Sequence, residues 1–195
     1  MTTRLDQQIA FLTEADKLKT IVRATELTDN SRYENSAEHS WHLTLYALVL
    51  ADQAGPDVDI NRVLRMLILH DLVEIDAGDN PIFGDYDATA MAAQEKAAAD
   101  RIFGLLPDDL HQSLRPIWEE FEAAQTPTAQ FAKSLDRFQP PMQNLASGGG
   151  SWTDFNVSEE MIAQRVGTKI EIGAPALWSY AKDRIATFFA ARTRP

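Results

Sequence analysis

Apolar residues along this chain recur at the three-to-four spacing of a helix and rarely at the two-residue spacing of a strand. Leu5, Ile9, Leu12, Ala15 and Leu18 form a first stripe, which Ile21 and Val22 extend. A polar break over 28–32 follows, and then Asn35 with Glu38 three residues on, or Ser36 in its place, offers the N-cap of a helix reaching about residue 53. Gly55 and Pro56 close it. The segment 60–77 is apolar on most faces (Val63, Leu64, Met66, Leu67, Ile68, Leu69, Leu72, Val73), as expected of a helix at the centre of a fold, and Gly78 supplies its stop. Residues 80–87 read as a loop carrying the aromatics Phe83 and Tyr86. The Ala-rich run 88–103 has strong helix propensity. Further helices are expected at 107–124, 128–145, 158–170 and 174–191, with Gly148, Gly149 and Gly150 marking a mobile loop at 146–153. Only 168–172 suggests a short strand. The pattern predicts an all-α chain, 1–195, forming one domain.

Composition narrows what such a chain does. The apolar fraction of 45% and charged fraction of 24% suit a globular protein with a sizeable core. Eighteen Lys and Arg against 29 Asp and Glu give a net charge of −11, the wrong sign for a duplex nucleic-acid partner. A small anionic substrate is compatible with that charge only if local cations or a bound metal offset the field. The absence of cysteine excludes disulfides, thiol catalysis and Cys-ligated zinc, and fits a reducing cytoplasm. No apolar run approaches the length of a membrane span, and the N-terminal residues do not read as a signal peptide.

The chemistry concentrates at three places. His70-Asp71 follows an almost wholly apolar run, 64–69, and burying an imidazole beside a carboxylate is costly unless both are paired or coordinate something. Taken alone, the dipeptide reads most simply as a structural His–Asp hydrogen bond. Glu74 lies on the same helical face, and Asp76 and Asp79 follow, a concentration of carboxylates that a divalent cation would relieve. The second place is His39, with His42 three residues on. The third is Asp136, beside the apolar stripe Phe131, Leu135 and Phe138; by itself it reads more simply as a surface ion-pair partner of Lys133 or Arg137.

His39, His70-Asp71 and Asp136, in that order, resemble the H…HD…D signature of the HD-domain metal-dependent phosphohydrolases, an all-helical superfamily. Residues 32–40, 70–74 with Gly78-Asp79, and 131–136 resemble its 5′-deoxynucleotidase-like branch, as do Ser151-Trp152 and 176–178. The motif core spans about 30–145, with C-terminal helices at about 158–192 packed on it. The resemblance implies one divalent cation (Mn, Co, Fe, Ni or Zn, with Mn or Co favoured for activity) held by His39, His70, Asp71 and Asp136. A single ion is expected because His111 alone lies between the HD pair and the last Asp, leaving too few imidazoles for a binuclear site; His42 is then a packing or supporting residue.

The resemblance further implies Glu74 and Asp79 as catalytic groups in removing a 5′-phosphate from a nucleoside or deoxynucleoside monophosphate. Arg32, Lys133, Arg137 and Arg23, the last placed on the first helix, are the candidate phosphate binders; a surface ion pair is the alternative for each. Glu119, Glu120 and Glu122 read as a solvated face. Where the branch carries an Arg-Trp pair on its first helix, this chain has Arg23-Ala24 after a one-residue gap, so the preference between ribose and deoxyribose does not carry over. An HD phosphohydrolase acting on another small phosphate ester or a guanosine polyphosphate, and a non-catalytic metal-binding module, are the alternatives. A homodimer is expected from the resemblance, and Leu177, Trp178, Tyr180, Phe188 and Phe189 are either its interface or core.

Overall fold

A computed structural model describes residues 2–85 and 87–192; Tyr86 of the expected loop lies outside them. Helix α1 (Arg4–Ala15) starts at Thr3, whose side chain accepts from the Asp6 N–H while the Asp6 carboxylate accepts from the Thr3 N–H. The helix then tightens into a 3-10 turn, Asp16–Thr20. Ile21 and Val22 do not extend it. Instead strands β1 (Val22–Glu26) and β2 (Tyr33–Asn35) form an antiparallel hairpin, paired Val22 with Asn35 and Glu26 with Tyr33, with an irregularity between. Asn30, at a φ of 56°, turns the chain, and the Leu27 N–H donates to the Arg32 carbonyl. Arg23 therefore stands on a strand.

Asn35 caps helix α2 (Ser36–Val49): its side chain accepts from the Glu38 N–H, and Glu38 accepts from the Asn35 N–H. Ser36 is thereby inside the first turn, with its hydroxyl free for another partner. The expected helix over 60–77 is broken. Helix α3 (Ile60–Leu69) is followed by a 3-10 turn, His70–Val73, and the short α4 (Glu74–Ala77). Gly78 ends it at a φ of 75°, a backbone state that glycine adopts without a Cβ clash. Helices α5 (Ala88–Phe103), α6 (Asp108–Ala123) and α7 (Pro127–Ala146) follow close to their expected places.

After the glycine turn at 148–150 comes one turn of helix, α8 (Ser151–Asp154). The expected helix over 158–170 is α9 (Glu159–Ile162), a π turn (Ala163–Gly167) and α10 (Thr168–Gly173). The strand suggested at 168–172 is thus helix: its buried Ile170 and exposed Ile172 fit a helical face, with Thr168 bonding back to the Gln164 carbonyl. Helix α11 (Pro175–Arg192) completes the chain.

Helix α7 is the spine, packed against α2, α3, α6, α10 and α11. Gly173 makes the α10 contact feasible, because a Cβ there would lie 2.3 Å from the Gln130 carbonyl oxygen. The buried apolar side chains form one cluster that includes Phe11, Met66, Phe103, Phe131, Ile170 and Ile185. Leu177 and Trp178 belong to it, with Phe188 and Phe189 half-buried against it, whereas Tyr180 is exposed. Among the described residues no helix is long and apolar enough to cross a membrane.

Candidate metal centre

Three elements converge at the centre of the fold. His39 comes from the first turns of α2, His70 and Asp71 from the 3-10 turn after α3, and Asp136 from the middle of α7. All four are buried. Burial arises from the amphipathic pattern itself: Asp136 lies beside Leu135 on the inner face of α7, and the 3-10 turn continues the apolar segment that precedes it.

Hydrogen bonds fix the tautomers. His70 Nδ1 lies 2.9 Å from the Leu67 carbonyl, which only accepts, so Nδ1 carries the proton and Nε2 a lone pair. His39 Nδ1 is 3.1 Å from Gln139 Oε1 and 3.4 Å from Glu34 Oε2, so it too donates. Both Nε2 lone pairs then face carboxylates: His70 toward Asp71 Oδ1 at 2.9 Å and Asp136 Oδ1 at 3.8 Å, His39 toward Asp136 Oδ1 at 3.2 Å. His70 Nε2 has no hydrogen-bond partner despite that proximity. Lone pairs facing lone pairs in a buried space require a cation between them. Burial and the nearby Arg23 lower the His39 pKa, but Asp136, Glu34 and Asp71 outweigh them and raise it. His39, His70 and Asp136 offer ligand atoms within 4.8 Å of one another, with Asp71 adjoining through His70. Nitrogen and oxygen donors of this kind fit a first-row divalent ion.

A shell of charge surrounds the four. Arg23, on β1, reaches Asp71 at 3.2 Å, Asp79 at 3.5 Å, Glu34 at 3.7 Å and Glu74 at 3.8 Å. Burial raises the Asp71 pKa, but His70, Arg23 and His39 together hold it down to about 2. Asp136 is likewise held low, its burial outweighed by Arg137, His39 and His70. Glu74 behaves oppositely. Burial and the Asp71 charge push it well above its ordinary value, against the opposing pull of Arg23, while the Ser36 hydroxyl donates to its Oε2. Asp79 is raised in the same direction, chiefly by burial.

A cavity of about 190 Å³ opens above this floor. Of the residues expected from sequence, His70, Asp71, Asp136, Glu74, Asp79, Arg23, Lys133 and Arg137 line it, and His39 lies just beneath. Lys133 pairs with Glu122 at 3.0 Å and sits 3.9 Å from the Phe121 ring centre. Arg32 is not brought to the cavity: it is exposed and closes on Glu38, whose carboxylate accepts from both terminal guanidinium nitrogens. Glu122, expected on a solvated face, lines the cavity, while Glu120 pairs with Arg62. His42 contacts the Gln139 side chain and Tyr46 rather than the four ligands.

A supporting layer lies outside the residues expected from sequence. Glu34, Gln139 and Gln143 are buried polar residues linked to one another, the two amides donating to Glu34 Oε1 at 3.3 and 3.1 Å. Gln139 and Gln143, four apart on the inner face of α7, were visible as polar residues in a core stripe. Trp152 and Phe155 form an aromatic wall to the cavity.

A family model described as HD domain matches residues 15–178. The chain belongs to the HD domain family. A solved structure of a predicted metal-dependent phosphohydrolase from Magnetospirillum magnetotacticum MS-1 is similar with a TM-score of 0.90 and 43% identity, covering 96% of each chain. The 5′-deoxynucleotidase HDDC2 of Danio rerio is 27% identical over 162 residues, 80% of either chain. A 5′-deoxynucleotidase of Photorhabdus laumondii, plu3092, is 28% identical over 169 residues, covering 80% of this HD-domain chain and 84% of that protein. The protein thus has the fold of a metal-dependent HD phosphohydrolase.

Proposed function

We propose that this HD-domain protein removes the 5′-phosphate from nucleoside or deoxynucleoside monophosphates, using one divalent ion at His39, His70, Asp71 and Asp136. The observation that carries the reading is the pair of buried Nε2 lone pairs facing two carboxylates on the floor of a cavity rimmed by Lys133 and Arg137. The names of the relatives in the bacterial and vertebrate 5′-deoxynucleotidase groups support the substrate class. His39, His70, Asp71 and Asp136 would hold a divalent ion (Mn or Co favoured; Fe, Ni or Zn fit the same donors), which would supply Lewis-acid polarisation of a phosphoryl oxygen and a water that is nucleophilic near neutral pH.

The chain's own residues do the rest. Lys133 and Arg137 offset the phosphate charge inside an otherwise acidic molecule. Glu74, half-buried and held by Ser36, takes the proton of the attacking water and returns it to the leaving 5′-oxygen as the phosphorus–oxygen bond breaks. Asp79 orients the sugar. Arg23 keeps Asp71, Glu74 and Asp79 together at the cavity wall and offers its remaining face to the phosphate. Glu74→Gln keeps the shape and loses the proton acceptor, so turnover is expected to fall by about 10²–10⁴-fold while the Mn²⁺ binding isotherm is unchanged. Loss of metal instead would make Glu74 a ligand and overturn its assignment.

The same reading includes a homodimer in a reducing, cytoplasmic setting. Trp41, Leu45, Leu48 and Val49 are exposed at helical spacing along the outer face of α2, opposite its buried face of His39, Leu43 and Ala47, with the exposed Tyr180 nearby. A helix apolar on both faces is suited to a second partner.

A further inference from the structure

A second groove opens directly beside the catalytic cavity and shares Lys133, Arg137, Glu122 and Ile82 with it. Its far wall holds Arg165 and Lys169, four residues apart across the π turn and the start of α10. Four cations therefore line the groove against two carboxylates, Glu122 and Asp85, in a chain of net charge −11. The local sign is reversed.

The two cations of the far wall are also poorly neutralised. Lys133 is taken by Glu122. The carboxylate near Arg137 is Asp136, 3.7 Å away and a member of the proposed ligand set. Arg165 and Lys169 are exposed and have no carboxylate within ion-pair reach among the described residues, and Arg165 instead donates to the Ile82 carbonyl at 3.1 Å, which holds it at the boundary with the cavity. By contrast Arg4, Lys17, Lys19, Lys96 and Arg101 each close on a carboxylate. A cationic strip continuous with a phosphate site suits a ligand with an anion at each end.

Resting on the phosphomonoesterase reading, we propose that Arg165 and Lys169 form a second anion subsite, and that the preferred substrates are 5′-nucleotides whose leaving alcohol also carries a 3′-phosphate. Two sources share that chemistry: a nucleoside 3′,5′-bisphosphate and the 5′-phosphorylated end of a dinucleotide. In either, water oxygen bonds to the 5′-phosphorus, the 5′-oxygen leaves with a proton, and the 3′-phosphate is untouched.

The test compares phosphate release by the Mn²⁺-loaded full-length protein from deoxyadenosine 5′-monophosphate, its 3′,5′-bisphosphate and a 5′-phosphorylated dinucleotide. Wild type is expected to favour one or both 3′-phosphorylated substrates by about tenfold in kcat/KM, through KM, as a charge-assisted contact provides. The choice between monoester and diester identifies the source. Arg165→Ala with Lys169→Ala is expected to abolish the preference and leave the monophosphate unchanged. Equal kcat/KM for all three in wild type, or an equal fall on all three in the variant, overturns the subsite. If none releases phosphate with metal bound, the phosphomonoesterase reading fails instead. Calorimetric binding of the bisphosphate then decides the subsite: weaker binding to the double variant supports it, and equal binding overturns it.

Discussion

Glu34 brings a full carboxylate to a site that already holds Asp71, Glu74, Asp79 and Asp136, and it is 2% exposed. Its value lies in the groups it orients. It accepts from Gln139 and Gln143, lies 3.4 Å from His39 Nδ1 and 3.7 Å from Arg23 Nε, and so fixes the ring of a proposed ligand and the guanidinium bridging the other acids. Outer partners of a ligating imidazole fix its tautomer and raise its basicity. Glu34→Gln is therefore expected to weaken Mn²⁺ binding by about 10–100-fold, read by titration; unchanged affinity would remove Glu34 from the support of the site. The proposed ligands and Glu74 stand out in the sequence because a charged residue inside an apolar run is conspicuous. Glu34 does not, since it sits beside polar neighbours on a strand of three residues, and only the hairpin carries it inward. Arg32 misled for the converse reason: adjacency to a motif in sequence put it near the ligands, but the capping Glu38 takes its guanidinium.

At the scale of elements, the helical period located most helices and failed at their interruptions. Leu18, Ile21 and Val22 satisfy a helical stripe while the chain passes through a 3-10 turn into a strand, a switch too short for either period to register. The segment 60–77 likewise hides its break, because the 3-10 turn at His70 keeps apolar Leu72 and Val73 buried as a helix would. That break is what turns His70 and Asp71 together toward the cavity. The first helix is then tied to the rest by Glu14, which pairs with Lys17 at 2.7 Å and with Arg101 at 2.8 Å, while Arg101 also holds Asp76. Lys17 and Arg101 keep the Glu14 pKa below its ordinary value. A carboxyl with a lower pKa in the folded state stabilises it above the unfolded pKa and ceases to do so as pH falls through the folded one. Wild type is thus expected to melt above Glu14→Gln at pH 7, with the gap closing below about pH 4. Calorimetric scans across that range check it, and a gap that persists in acid assigns the effect to packing instead.

For the molecule as a whole, the charge of −11 has an internal explanation. Glu34, Asp71, Glu74, Asp79 and Asp136 crowd one small volume around Arg23, where the proposed metal would offset their charge, so part of the acidity belongs to the site. The lack of cysteine leaves nitrogen and oxygen as donors, as the convergent imidazoles and carboxylates require. The aromatic C-terminal helix, ambiguous in sequence between core and interface, divides: Trp178 is buried and Tyr180 exposed, next to the outer stripe of α2. Sedimentation is expected to give twice the chain mass for wild type and the single mass for Leu48→Glu with Val49→Glu. A monomeric wild type contradicts the dimer without touching the site.

On the proposed reading, one metal centre performs phosphomonoester hydrolysis. That activity is tested most directly by phosphate release from a panel of nucleoside 5′-monophosphates while Mn²⁺ or Co²⁺ is titrated into metal-free protein. Release is expected to rise with the ion, to saturate at one equivalent, and to disappear together with metal binding in Asp136→Ala. Bound metal with no release from any nucleotide would contradict it.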